Sequence, residues 1–438
     1  MEPVDLLLTA RWILPIEPAA AALDHSAVAV RQGRIVAVLP TRDALQRYAP
    51  ARHIDRPTHA VLPGLINAYT HTGNTLLRSR AAGIGFDRWL GPKTWPSEQR
   101  WLDPEFVRDS TELAIADMVS SGTTCCTAQY FFADVVAQTA SQMHLRACAA
   151  VPVLDVPTPW TDSVGECLDK ALRLHDEYRD DPLITTAFAP HAVDTLDDPM
   201  LTRIKRAADE IELPIIASLH DDGRPHLNSE RANPERTCLE RLSRLGLLTP
   251  AFGALHAARW TPDDLACAAR TGINIIHCPR SDLNLRREPA PVAELLGCGV
   301  NVAIGTDTGT SNLNACLFDE LRTAALLAGG SVAAHEWLRI ATLNGARALN
   351  LHESTGSLVP GKWADLCCVD LRGLAMQPIG DPAVALVHGA QRSDVTDVWV
   401  AGRALLQSGR LSEYDTESIL ARAAAWQQRI NGAADTRT

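Results

Sequence analysis

The sequence has no C-x-x-C pair, no uninterrupted apolar run long enough to span a bilayer, no basic cluster in its opening residues and no excess of positive charge. Each absence removes a class of protein. Without C-x-x-C the eleven cysteines give no redox motif, and the adjacent pairs Cys125-Cys126 and Cys367-Cys368 lie in apolar, strand-like runs where reduced thiols act as core residues. A reducing cytoplasm is the simplest setting. The opening MEPVDLLLTARWILP is acidic where a secretory signal would be basic, so neither secretion nor membrane insertion is expected. A net charge of −11 and a pI near 5.7 leave no clustered Lys and Arg for a nucleic acid, so the expected partner is a small molecule. Low-complexity segments and short-period repeats are also missing.

What is present is ample apolar substance: 438 residues, 46% hydrophobic and 21% charged, can bury a large core. Short β-rich runs alternate with helix-patterned stretches at 60–67, 123–130, 145–154, 183–190, 214–221, 252–258, 273–279 and 300–307. Eight such units predict an α/β fold, a (β/α)₈ TIM barrel whose site gathers at the C-terminal ends of the strands. There stand His71, His191, His220, Asp221, His256, His277 and Asp307. The flanks at 27–40, 364–371 and 395–406 alternate like antiparallel strands with Gly turns, predicting a small β-sandwich domain formed by both chain ends. The expected division is 1–58 for its first part, 59–362 for the barrel, and 363–438 for its second part with a C-terminal helix that frays.

The segments PGLINAYTHTGNTLLR, WPSE, SGTT, FAPHAVDTL, LHDD, GALHAARWT, HCPRSDLNL, GVNVAIGTDTGTSNLN and GSLVPGKWADL resemble, in order, the motifs of the amidohydrolase superfamily. The nearest branch is that of the S-adenosylhomocysteine and methylthioadenosine deaminases and the triazine chlorohydrolases. The resemblance covers nearly the whole chain. It implies a (β/α)₈ barrel with a small β-sandwich, a hydrolase acting on C–N bonds, and a homodimer.

Carried over residue by residue, the resemblance breaks at the metal. The H-x-H of the first strand falls on Tyr69 and His71, and the fifth-strand histidine and the glutamate three residues later fall on Ser218 and Asp221. The sixth-strand histidine matches His256 and the eighth-strand aspartate matches Asp307, while the substrate contacts of the branch match Glu98 and His191. His71 and Asp307 are then the two metal ligands left from four. Tyr69 could bind iron as a phenolate, or serve as a hydrogen-bonding wall. His220 shares a strand face with Ser218, but one pleat of about 6–7 Å separates them, far beyond a Zn–N bond of about 2.1 Å. His277 reads as structural, and His25, His144 and His226 belong to no constellation.

These positions predict a degenerate metal site. No cofactor is expected, with zinc or iron entering only if the site is atypical. The favoured reading is a metal-independent enzyme using Asp307, His256, Asp221 and His220 for acid–base work on a nitrogen-rich heterocycle or nucleoside-like substrate, with Glu98, His191, Tyr69, Ser218 and His71 binding it. One alternative is a metal-dependent deaminase or chlorohydrolase with an unusual ligand set. The other is a non-catalytic binding relative, which would have no need to keep Asp307, His256, Glu98 and His191.

Overall fold

The computed structural model describes residues 1–18, 21–78, 99–219, 238–258 and 260–435. Two compact units form it: Met1–Ala68 with Met118–Cys125 and Cys316–Glu413, and Tyr69–Asp117 with Cys126–Ala315 and Tyr414–Thr438.

The first unit is built on β1 (Glu2–Ile13), β2 (Leu23–Arg31), β3 (Arg34–Pro40) and β4 (Tyr48–Pro63). β1 pairs antiparallel with β2 and parallel with β4. The β2–β3 turn places Gln32 at φ 51 and Gly33 at φ 72, the pair of left-handed residues that a tight hairpin requires. Period-two alternation sorts the side chains: Leu6, Leu8, Val28 and Val30 pack into one core, and Leu7, Ala27 and Ala29 into another with Ala44 and Tyr48.

A second, parallel sheet runs through β5 (Leu65–His71), β6 (Thr123–Gln129), β7 (Arg146–Val153), β8 (Ile184–Pro190), β9 (Ile215–Ser218), β10 (Phe252–Leu255), β11 (Asn274–His277), β12 (Asn301–Ile304) and β13 (Asp307–Thr308). Its order is β12-β11-β10-β9-β8-β7-β6-β5-β13. Every residue of β6 and β7 is buried, as a parallel sheet covered on both faces requires. Helices return between strands; the one at Pro262–Thr271 starts with a Thr261/Asp264 capping box and stops at Gly272, φ 72.

Only Gly305 and Thr306 separate β12 at one edge of this sheet from β13 at the other. Gly305 N–H donates to the His277 carbonyl at 2.9 Å and Thr306 N–H to the Tyr69 carbonyl at 3.0 Å. Successive residues thus bond to β11 and to β5, so the two edges meet and the sheet closes into the expected barrel.

The remaining strands, β14 (Leu366–Asp370), β15 (Val395–Val400), β16 (Arg403–Gln407) and β17 (Arg410–Leu411), join the first unit through β14 against β4. Both chain ends therefore build one sheet, of eight strands among the described residues. Two sequence expectations need adjustment. The run 60–67 is two strands, β4 and β5, divided where Pro63 offers no N–H and where a Cβ on Gly64 would sit 2.0 Å from Thr124. The C-terminal helix, Thr416–Asp435, is pinned: Trp426 Nε1 donates to Asp109 at 2.8 Å and its ring meets Phe106 edge-on. Among the described residues no helix is long and apolar enough to cross a membrane.

Candidate active site

β5 ends Tyr69-Thr70-His71, and strand alternation puts Tyr69 and His71 on one face. The Tyr69 hydroxyl lies 3.2 Å from His71 Nε2, with the rings edge-on at 5.1 Å. It donates to Gln129 Oε1, at the end of β6, at 2.5 Å. Gln129 Nε2 donates to the Ala189 carbonyl of β8 at 3.2 Å, which fixes the amide with its oxygen toward Tyr69. Burial raises the Tyr69 pKa well above the usual phenol value, and the nearby Asp307 charge adds to the rise. Tyr69 is a neutral phenol here, the hydrogen-bonding wall rather than the phenolate.

Asp307 opens β13 with φ 55, and His256, just past β10, has φ 57. Two non-glycine residues in left-handed backbone at strand ends mark positions the surrounding structure holds against local preference. Asp307 Oδ1 is 3.5 Å from His71 Nε2; Oδ2 accepts from the Ser281 hydroxyl, itself 2.9 Å from Ser311 Oγ. Burial alone would raise the Asp307 pKa. The polar contact and charge of His71, the charge of His256 and the Ser281 hydroxyl outweigh it and hold the carboxyl well below the usual range.

His256 Nδ1 is 2.9 Å from Asp282 Oδ1, and His277 Nδ1 is 3.8 Å from Asp282 Oδ2. Burial lowers the His277 pKa to about 4, so this ring is neutral, in keeping with a structural part. His191 follows β8; its pKa is also lowered to about 4, first by burial and then by the charge of His71, which places it in the electrostatic neighbourhood of the site. Ser218 ends β9 and bridges to Ala192. Glu98, His220, Asp221 and His226 lie outside the described residues. His25 is exposed beside Arg11, and His144 sits in a turn before β7.

Three participants escaped the sequence reading. Gln129 was legible only as a polar residue ending an apolar strand; Ser281 and Asp282 lie in HCPRSDLNL, and neither carries a ligand-type signal of its own beside His277.

Whether these residues suit a metal is decided by spacing. Two ligands about 2.1 Å from one tetrahedral zinc are about 3.4 Å apart. His71 Nε2 and Asp307 Oδ1, at 3.5 Å, match that bite, and 3.5 Å is long for a hydrogen bond between them. Among the described residues no third His, Cys, Asp or Glu completes a cluster. His71 and Asp307 therefore fit two positions of a divalent ion.

A closed (β/α)₈ barrel with a histidine and aspartate site at the C-terminal ends of its strands defines a class of hydrolases. The model of the amidohydrolase family matches residues 60–405, and the chain belongs to that family. It is 38% identical over 433 residues to a 5-methylthioadenosine/S-adenosylhomocysteine deaminase of Teredinibacter turnerae, covering 98% of each chain. A crystal structure of an adenosine deaminase from Xanthomonas campestris with bound zinc superimposes with a TM-score of 0.95 at 43% identity, covering 98% of this chain and 99% of the other. The atrazine chlorohydrolase TrzN of Arthrobacter aurescens, complexed with zinc, shares the fold at a TM-score of 0.87 and 22% identity, covering 96% of this chain and 100% of that one.

These relatives correct one expectation. The chain was expected to need no cofactor, yet structures of its relatives hold zinc, and the family likeness points to a divalent metal. Metal independence is withdrawn. Counting motif positions missed the geometry, in which the surviving His71 and Asp307 stand at a ligand-to-ligand distance.

Proposed function

We propose that this chain is a hydrolytic deaminase of an aminopurine nucleoside, with a divalent metal held by His71 and Asp307. The observation that carries the reading is the convergence of His71, His256 and a firmly anionic Asp307 at the strand ends. The substrate class follows the methylthioadenosine/S-adenosylhomocysteine deaminases to which nearly the whole chain is similar.

In this reaction water adds to the ring carbon bearing the amino group, a C–O bond forms, the C–N bond breaks and ammonia leaves. The metal would acidify the water. Asp307 would accept the water's proton on its carboxylate and pass it to the departing amino group, which leaves as ammonia. His256, its Nδ1 hydrogen committed to Asp282, offers the Nε2 lone pair to a hydrogen of the attacking water and orients it. By motif position Asp221, with His220 beside it, serves the ring nitrogen that must gain a proton. Glu98 and His191 contact the nucleoside, and Tyr69 and Ser218 wall the pocket. A cytoplasmic homodimer accompanies the proposal, its oligomeric state to be read by sedimentation.

The test loads the protein with zinc, iron(II) or manganese(II) and measures ammonia release from adenosine, methylthioadenosine and S-adenosylhomocysteine. Release from at least one, lost in Asp307→Asn, supports the reading. No ammonia from any of the three with any metal overturns it.

A further inference from the structure

We propose that Asp282 is a positioning residue for His256, holding its imidazole as the tautomer with hydrogen on Nδ1 and Nε2 free to act; the proposal rests on the deaminase reading. The geometry is a buried carboxylate against a buried imidazole: His256 Nδ1 stands 2.9 Å from Asp282 Oδ1, with side-chain exposures of 11% and 3%. An ionised carboxylate only accepts, so the hydrogen in this contact belongs to Nδ1. A neutral His256 then has its lone pair on Nε2, the nitrogen left for chemistry.

Among the described residues no other side chain is seen to compete for Asp282 Oδ1. His277 faces the other oxygen at 3.8 Å, too far for a hydrogen bond, and its burial keeps it neutral. The Asp282 backbone is held at both ends, its N–H donating to the Cys278 carbonyl at 3.0 Å and its carbonyl accepting from Arg287 N–H at 2.7 Å. His256 carries left-handed backbone at φ 57, so its ring is delivered from a constrained position and met by a constrained partner. The neighbouring Ser281 grips Asp307 Oδ2, so two consecutive residues of the short helix at Pro279–Asn284 hold the two acid–base groups of the proposed site. A positioned imidazole in the wrong tautomer loses its role as general acid or base while substrate binding persists.

Asp282→Asn keeps the size and removes the obligate acceptor. In the metal-loaded protein we expect kcat to fall by about 10²-fold or more while KM stays within about threefold and metal content is unchanged. Nitrogen-15 NMR of labelled histidine, with the His256 signals assigned by their loss in His256→Gln, reads the tautomer without reference to activity. Nδ1–H in the wild type, lost or mixed in Asp282→Asn, supports the proposal. Nε2–H in the wild type, or an Asn variant with kcat within threefold of wild type, overturns it. If the Asn variant does not fold, the wild-type tautomer decides alone. If the wild type releases no ammonia, the deaminase reading fails while the tautomer still judges Asp282.

Discussion

Tyr69 hands its hydroxyl hydrogen to Gln129 Oε1, and Gln129 in turn donates to the Ala189 carbonyl, linking the ends of β5, β6 and β8. A carboxamide so fixed can only accept from the phenol, and burial opposes ionisation of Tyr69. Tyr69 is thus built into the barrel wall by a directional network.

Tyr69→Phe removes the donor and leaves a buried amide oxygen without it. The expected cost is about 1–3 kcal/mol of unfolding free energy, read in urea, because the buried acceptor loses its partner rather than gaining water. A variant as stable as the wild type would show that the Gln129 contact contributes nothing net.

Metal content separates ligand from wall. Protein loaded with zinc and dialysed should lose most of it in His71→Ala and in Asp307→Asn, each by a factor of about 10 or more, since each removes one of the two donors that stand at ligand spacing among the described residues. Tyr69→Phe should retain wild-type metal. Equal loss in Tyr69→Phe, measured by elemental mass spectrometry, would make the phenol a ligand.

His277 sets an acid limit on stability. Its folded pKa, about 4, lies below the ordinary 6.5, so between these values the unfolded chain binds a proton that the folded chain refuses. The stability contributed by the neutral ring is complete above pH 6.5 and is lost as pH falls toward 4, on the order of 3 kcal/mol at most. His277→Asn should flatten the fall in urea stability over that window; an unchanged slope would mean the ring protonates in the native state without cost.

Most of the barrel was legible because parallel strands are short apolar runs bounded by polar residues, and β6, β7 and β8 lie within a residue of the runs read for them. The boundary at Pro63-Gly64 was not, since an apolar run does not reveal where a strand passes from one sheet to the next. His256 and Asp307 were legible from motif order, and their left-handed backbone was not. Gln129 and Asp282 could not be weighed at all until their partners were adjacent, because an amide or a carboxylate acquires a role from what it faces, 60 residues away for Tyr69 and 26 for His256. Tyr69 misled for a related reason. Its identity told of a lost ligand, but the bite between His71 and Asp307 exists only in three dimensions.

The barrel seam offers the sharpest test of the architecture. At Gly305 the chain passes between β11 and β5, and an added Cβ would stand 2.7 Å from the Tyr69 carbonyl oxygen, 3.0 Å from the Tyr69 nitrogen and 3.1 Å from Cys278 Sγ. Two of those neighbours are backbone of the strand that carries His71, so they cannot rotate away as a side chain could. Gly305→Ala must push β13 off β5, straining the 3.0 Å bond from Thr306 N–H to Tyr69 and the register that sets Asp307 beside Thr70. We expect it to cost about 1–3 kcal/mol, the usual penalty for overpacking, and also to weaken metal binding, because His71 and Asp307 lie on the two strands being separated. Gly309→Ala is the control, since its nearest neighbour would be the Thr75 Cα at 3.4 Å and no left-handed backbone is involved. It should stay within about 1 kcal/mol of wild type. If Gly305→Ala matched the control in both urea stability and zinc affinity, the seam would be looser than its hydrogen bonds indicate and the metal pair would owe its spacing to something other than the closure of the barrel.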